Sequence, residues 1–255
     1  MGFDFERMLA AAMFAGTRIA GLMVFAPFFS SEAIPVRAKA GLTFVLTALL
    51  YPVYGPSHPA LSPVGWIGIM GGEAVVGLIL GLTLQIIFDA AQLAGQILGV
   101  QMGFSLVNVL DPQTQVDTPV LAIFHQLITL LIFLQLNVHH WLLRGIARSF
   151  AYLPPGGAIA TFSASAQFLR AAGGIWLVGV QIAAPALLAT MLTDVALGFL
   201  GKASPQLPIM LFGLSIKSTL GFVVLVGAMA WWPRNLERHF ADGIALGEHL
   251  LHLAR

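Results

Sequence analysis

Residues 64–107 read VGWIGIMGGEAVVGLILGLTLQIIFDAAQLAGQILGVQMGFSLV, and nothing in the run forces a helix to end. At 1.5 Å per residue it would make roughly 66 Å of helix, about twice the hydrocarbon core of a bilayer. Such a helix either kinks or runs well outside the membrane. Its second half has two faces. Gln85, Asp89, Gln92 and Gln96 fall at i, i+4, i+7 and i+11, one polar stripe. Ala91, Gly95, Gly99 and Gly103 form a ladder of small residues four apart, the spacing that lets helix backbones approach closely where the hydrophobic effect between them is weak. Two readings stay open: packing within one bundle, or a partner subunit or wet channel against the stripe, since glutamines and a carboxylate facing lipid are costly.

Composition says what kind of chain carries this run. Of 255 residues, 58% are hydrophobic and 9% charged, against about 25% charged in soluble domains. With a mean hydropathy of +0.89, the class is all-α and polytopic in a membrane. A net charge of +1 excludes the clustered basic face of a nucleic-acid binder. The absence of cysteine excludes disulfide, thiol and zinc-thiolate chemistry. The start, MGFDFERML, carries Asp4 and Glu6 where a secretory signal needs basic residues, so the first apolar segment is expected to be retained.

About six apolar stretches are long enough to span: 8–29, 38–54, 64–88, 119–136, 173–200 and 208–232. They are expected to form one helical domain over 1–233, followed by a C-terminal amphipathic tail, 234–255. With six crossings, Arg7, Arg144, Arg148, Arg170, Arg234, Arg238 and Arg255 lie on one side and Arg37, Lys39 and Lys202 on the other. The excess of basic residues then puts both termini in the cytoplasm. The tail has Leu236, Phe240, Ile244 and Leu251 near one face, interrupted by Gly243 and Gly247, and suits a membrane surface or a partner.

Four ionisable residues fall inside the apolar stretches: Arg18, Glu73, Asp194 and Lys217. Groups there need a charged partner, backbone carbonyls or water. Two acids and two bases suggest paired neutralisation, while proton-coupled transport is the functional alternative; which acid meets which base is not set by the sequence. Residues 101–119, QMGFSLVNVLDPQTQVDTP, have the makings of a functional loop. Asp111-Pro112 is a turn signal, and Phe104, Leu106 and Val107 are apolar residues that a solvent loop does not need.

No GxSxG, GxxxxGK[ST] or HExxH is present, and EHLLH at 248–252 has the wrong spacing and order for a zinc helix. His139 and His140 in NVHHWLL point about 100° apart on a helix, with no third ligand nearby, so no metal site and no cofactor is expected. The pair reads as a helix-end cluster, with Trp141 at headgroup depth. No catalytic residue is assigned, and the chain is not expected to be an enzyme.

Five segments, in this order, resemble the FliR family of type III secretion export-gate proteins, flagellar and injectisome. They are RIAGLMVFAPFFSSEAIPVRAKAGL (18–42), AQLAGQILGVQMGF (91–104), DPQTQ (111–115), NVHHWLLRGIARSFAYLP (137–154) and APALLATMLTDVALGFLGKASPQL (184–207). Two positions depart from the family pattern: Val138, where it has glycine, and Gly201-Lys202, where it has Asn-Arg. The resemblance implies kinked helix hairpins in a helical assembly at the bacterial inner membrane and flagellar basal body. It implies FliP-like and FliQ-like partner subunits, contact with an FlhB-like switch protein, and transient passage of unfolded export substrates. It also implies that the loop from about Gly103 to Thr118 plugs the closed gate, with Phe104, Leu106, Val107, Asp111, Pro112 and Gln113 as its working residues. A stand-alone ion-coupled transporter using Glu73, Asp89 and Asp194, and an injectisome gate in place of a flagellar one, are the alternatives. At Val138 ordinary helical geometry is expected, because a β-branched residue fits poorly at positive φ.

Overall fold

The computed structural model describes residues 5–31, 34–54, 63–104, 119–154, 165–204, 206 and 209–253. Among them the regular structure is all helical: α1 (Phe5–Phe25), α2 (Val36–Tyr54), α3 (Pro63–Gln101), α4 (Val120–Gln135), α5 (Val138–Tyr152), α6 (Ser165–Ala203), α7 (Ile209–Met229) and α8 (Trp232–Leu253). The uninterrupted run is one helix of 39 residues, about 58 Å long at 1.5 Å per residue. It ends at Gln101 in a Schellman cap. Gly103, at φ 84°, donates its N–H to Val100 O at 3.1 Å, and Phe104 N–H reaches Gly99 O at 2.9 Å. Those two bonds satisfy carbonyls that the helix end would orphan, and the left-handed position favours glycine.

Four described helices carry segments long and apolar enough to cross a membrane: Met8–Phe25, Gly65–Gln101, Ala172–Ala203 and Phe212–Met229. The pair α4 and α5 makes a fifth if it is one bent span. The all-helical, membrane-type class expected from the sequence holds. Residues 38–54 form α2, whose first turns carry Arg37 and Lys39.

The chain folds in separate compact parts. It forms two compact units, each drawn from separate stretches: Met1–Ile87, Phe133–Ala172 and His239–Arg255 in the first, Phe88–Ile132 and Gly173–Arg238 in the second. Within the first unit, α1 and α3 pack backbone to backbone. A Cβ on Gly77 would collide with the carbonyl oxygen of Arg18, one on Gly21 would lie 2.6 Å from Ala74 O, and one on Gly81 would lie 2.9 Å from Ala26 N. Phe14, Ile19 and Leu22 of α1 and Leu80 and Leu84 of α3 are fully buried in this unit.

The end of α8 belongs to the same unit. Gly243 and Gly247 do not interrupt the helix, which runs through them to Leu253. They are where it meets α3: an added Cβ would come 3.1 Å from Ile87 Cδ1 at Gly243 and 3.1 Å from Leu80 Cδ2 at Gly247. Phe240, Leu250 and Leu251 are buried with them, so the apolar face of this segment is spent on the chain itself.

The break between α4 and α5 turns the helix axis by 66°. Asn137 takes the left-handed conformation there (φ 56°, ψ 30°), which asparagine tolerates better than most residues. Val138 is the first residue of α5 and fully buried, in the helical geometry expected for it.

The α1–α3 seam leaves no room at Gly77. Gly77→Ala is expected to destabilise the protein by about 3 kcal/mol or more, read as a lowered thermal unfolding midpoint in detergent. Gly41→Ala, where an added Cβ meets nothing within 4 Å, should instead raise stability by up to about 1 kcal/mol, the helix-propensity gain of alanine over glycine.

Candidate functional site

The charges placed inside apolar stretches resolve into two pairs, and the structure assigns the partners. Arg18 on α1 and Glu73 on α3 are both fully buried, with Nε donating to Glu73 Oε2 at 2.5 Å. Arg18 Nη1 donates to Ser149 Oγ at 3.0 Å, and that hydroxyl in turn donates a hydrogen bond to Ile146 O at 2.7 Å. The guanidinium carbon lies 4.3 Å from the centroid of the Phe150 ring, a cation–π contact strengthened by the dry surroundings. Nη2 is buried and makes no hydrogen bond. Ser149 and Phe150 are thus parts of the charge site that reading charges alone passes over. Their signal is their spacing from Val138, Leu142, Gly145 and Ile146, which together make the buried face of α5.

The second pair lies in the second unit. Lys217 Nζ on α7 donates to Asp194 Oδ2 on α6 at 2.7 Å, and Gln101 Nε2 at the end of α3 donates to the same oxygen at 2.9 Å. This pair is not buried in the chain: Asp194 is 45% exposed. Of the polar stripe, Gln85, Asp89, Gln92 and Gln96 are all half-buried, and Gln85 and Asp89 are engaged in interactions of their own.

The small-residue ladder serves the chain's own packing. Ala91 is buried. A Cβ on Gly95 would collide with Leu121 O and lie 2.5 Å from Ala122 Cα at the start of α4. One on Gly99 would touch Pro119 Cβ at 3.4 Å. Gly103 is the left-handed cap of α3 and not a further rung. A second set of rungs, Gly77 and Gly81, continues at intervals of four from Glu73, and Gly77 has the least room of the described glycines. That spacing was in the sequence and marks the seam with α1.

These contacts define where the expected plug loop starts and stops. Leu106, Val107, Asp111, Pro112 and Gln113 lie outside the described residues. Phe104 lies inside them, and its ring packs edge-on to Phe222 of α7, centroids 5.4 Å apart. One residue earlier, Met102 O accepts from Ser218 Oγ at 2.7 Å, and Gly221 leaves space for the Met102 side chain. The departing foot is therefore pinned to α7 by three contacts within one turn. The returning foot, Pro119, sits against Gly99, whose carbonyl already holds Phe104 N–H. Both feet meet at one residue of α3.

The rings of His139 and His140 lie with centroids 4.2 Å apart, tilted by 40°. His139 is half-buried and His140 exposed. Among the described residues no three histidine, aspartate or glutamate side chains come together to hold a metal ion.

An all-helical, membrane-type chain with a pinned loop and internally neutralised charges is the class that the geometry defines. The profile of the family described as "Bacterial export proteins, family 1" matches residues 9–243. The chain belongs to that family. Among its relatives is the flagellar biosynthetic protein FliR of Escherichia coli (strain K12), 32% identical over 227 residues, which cover 88% of this chain and 86% of the relative. FliR of Bacillus subtilis (strain 168) is 32% identical over 216 residues, 84% and 83% of the two chains. FliR of Aquifex aeolicus (strain VF5) is 24% identical over 248 residues, 96% and 95% of the two.

The Arg18–Glu73 pair carries its own test. Removing one partner of a buried pair strands the other charge and costs about 3–5 kcal/mol, whereas replacing both by apolar groups is much less harmful. Arg18→Met and Glu73→Leu are each expected to lower the thermal unfolding midpoint in detergent sharply, with the double variant recovering most of the loss. A double variant as unstable as the sum of the two would show that the groups are not coupled.

Proposed function

We propose that this chain is a subunit of the type III protein export gate of the bacterial flagellum. In this reading it sits in the inner membrane at the basal body and helps to form and plug the pore through which unfolded flagellar proteins leave. FliP-like and FliQ-like subunits surround it, and an FlhB-like switch protein is met at the assembly. The relatives' names support the flagellar setting. The observation that carries the plug is the meeting of both loop feet at Gly99. A loop held at one point on a rigid helix swings without unfolding that helix, which is what a reversible closure requires.

The mechanism is gating. Apolar residues of the loop, Leu106 and Val107, fill the pore; Asp111-Pro112 sets its path; Phe104 stays on Phe222 as the anchor. Opening breaks only the distal contacts, so the closed state is favoured by a few kcal/mol. The rival reading, a stand-alone ion-coupled transporter, draws less support from the site. Its acids are already engaged: Glu73 is sealed against Arg18 with no exposed surface, and Asp194 is held by Lys217 and Gln101.

Because the feet adjoin, the ends left by deleting 106–115 can still be joined. The expected result in an assembled gate is a membrane leaky to ions or small solutes, measured by dye or ion flux, with normal recovery of the complex. Wild-type permeability in an assembled complex would falsify the plug assignment.

A further inference from the structure

Helix α5 has a use on its outer face that gating does not involve. Two shallow grooves flank it, both within the first unit. One runs between α5 and α8, lined by Trp141, Arg144, Arg148 and Glu248 among others. The other, about 350 Å³, runs between α5 and α2, and its walls are Leu46, Leu49, Leu50, Leu143, Ile146 and Ala147 with His140 and Arg144 at the side. Arg144 belongs to both and stands on the ridge between them.

The charges on this face are unequally spoken for. Arg148 is 71% exposed and has Glu248 at 3.7 Å, a loose surface contact of little strength. Arg144 is exposed and has no carboxylate partner among the described residues. A basic ridge one residue away from an apolar groove is complementary to an amphiphile with a negative head, not to a soluble anion or a uniformly apolar segment. Basic pockets between helices of membrane proteins take anionic lipid heads, and tryptophan favours the same headgroup depth.

We infer that α5 with α2 and α8 forms a binding site for an anionic diacyl phospholipid. Its phosphate is held by Arg144, supported by Arg148 and Trp141, and an acyl chain lies along Leu46, Leu49, Leu50 and Leu143. Arg144 is the determinant of headgroup charge, and Ala147 lines the chain groove.

The test is native mass spectrometry of the full chain in detergent, titrated with phosphatidylglycerol, phosphatidylcholine or inorganic phosphate. Phosphatidylglycerol is expected to be retained over phosphatidylcholine. Arg144→Gln with Arg148→Gln should weaken it about thirtyfold, at about fivefold per arginine, while Arg144→Lys keeps most of the binding. Ala147→Trp, which fills the groove and leaves the charges alone, should weaken phosphatidylglycerol as well. Thermal unfolding of each variant in phosphatidylcholine should match wild type, which separates lost binding from lost folding. Equal retention of the two lipids, unchanged binding by the double variant, or full competition by inorganic phosphate overturns the site. So does a photo-crosslinker at position 147 that labels a neighbouring protein in the assembled gate instead of lipid.

Discussion

The buried pair of Arg18 and Glu73 is the constraint on which the first unit depends. Neither side chain has exposed surface, and two ions taken out of water repay that penalty only in tight geometry. The geometry comes from the glycines. Arg18 gives its side chain to Glu73 and its backbone carbonyl to the space that a side chain at Gly77 would fill. The residue that supplies the charge is therefore also the one over which α3 closes. Glu73, Gly77 and Gly81 repeat every four residues, so the carboxylate and both clearances lie along one line of α3. Moving the helices apart by the width of a methyl group would lengthen the ion pair and open the seam together. Ser149 and Phe150 then tie α5 to the same guanidinium, which brings a third helix under the same condition.

A similar economy holds at the other end of α3, with hydrogen bonds in place of a sealed charge. The Schellman cap at Gly103 ends the helix and aims the chain at α7, where Ser218, Gly221 and Phe222 receive it. Gln101, the last helical residue, reaches Asp194 and so adds α3 to the Asp194–Lys217 pair. A rigid helix with a firmly footed loop at its tip is a different mechanical object from a helix that frays into its loop. Only the first can hold a closure in place and release it without losing its own end.

The long helix and the all-helical class were legible in the sequence, because hydropathy and the lack of a breaker across 64–101 leave no alternative to a helix. The pairing of charges was legible as a need, but not as a set of partners. Arg18 and Glu73 are 55 residues apart, and no local pattern encodes which acid crosses to which base. The ladder shows where reading by pattern goes astray. Gly95, Gly99 and Gly103 share a spacing yet do three different things: close approach to α4, contact with a loop foot, and a left-handed cap. Spacing reports that a side chain is absent on one face; it does not report what occupies the space. For the same reason Gly243 and Gly247 looked like interruptions of a tail and are contact points for α3.

The remaining glycines bear on what surrounds the chain. Gly41, Gly68, Gly71, Gly198 and Gly227 lie within helices, are exposed, and have nothing within 4 Å of an added Cβ. Each costs a helix about 1 kcal/mol relative to alanine, with no return from packing inside this chain. Several stand beside large exposed apolar side chains: Phe44 near Gly41, Ile67 beside Gly68, Phe199 beside Gly198 and Val226 beside Gly227, all more than 70% exposed except Val226 at 64%. Lipid alone is content with leucine and valine and gains nothing from glycine. Close approach of another backbone does gain from it, as Gly77 and Gly95 show within the chain itself. Helix faces that combine missing side chains with bulky apolar neighbours suit close approach by other helices, which is what the proposed place in an export gate would require.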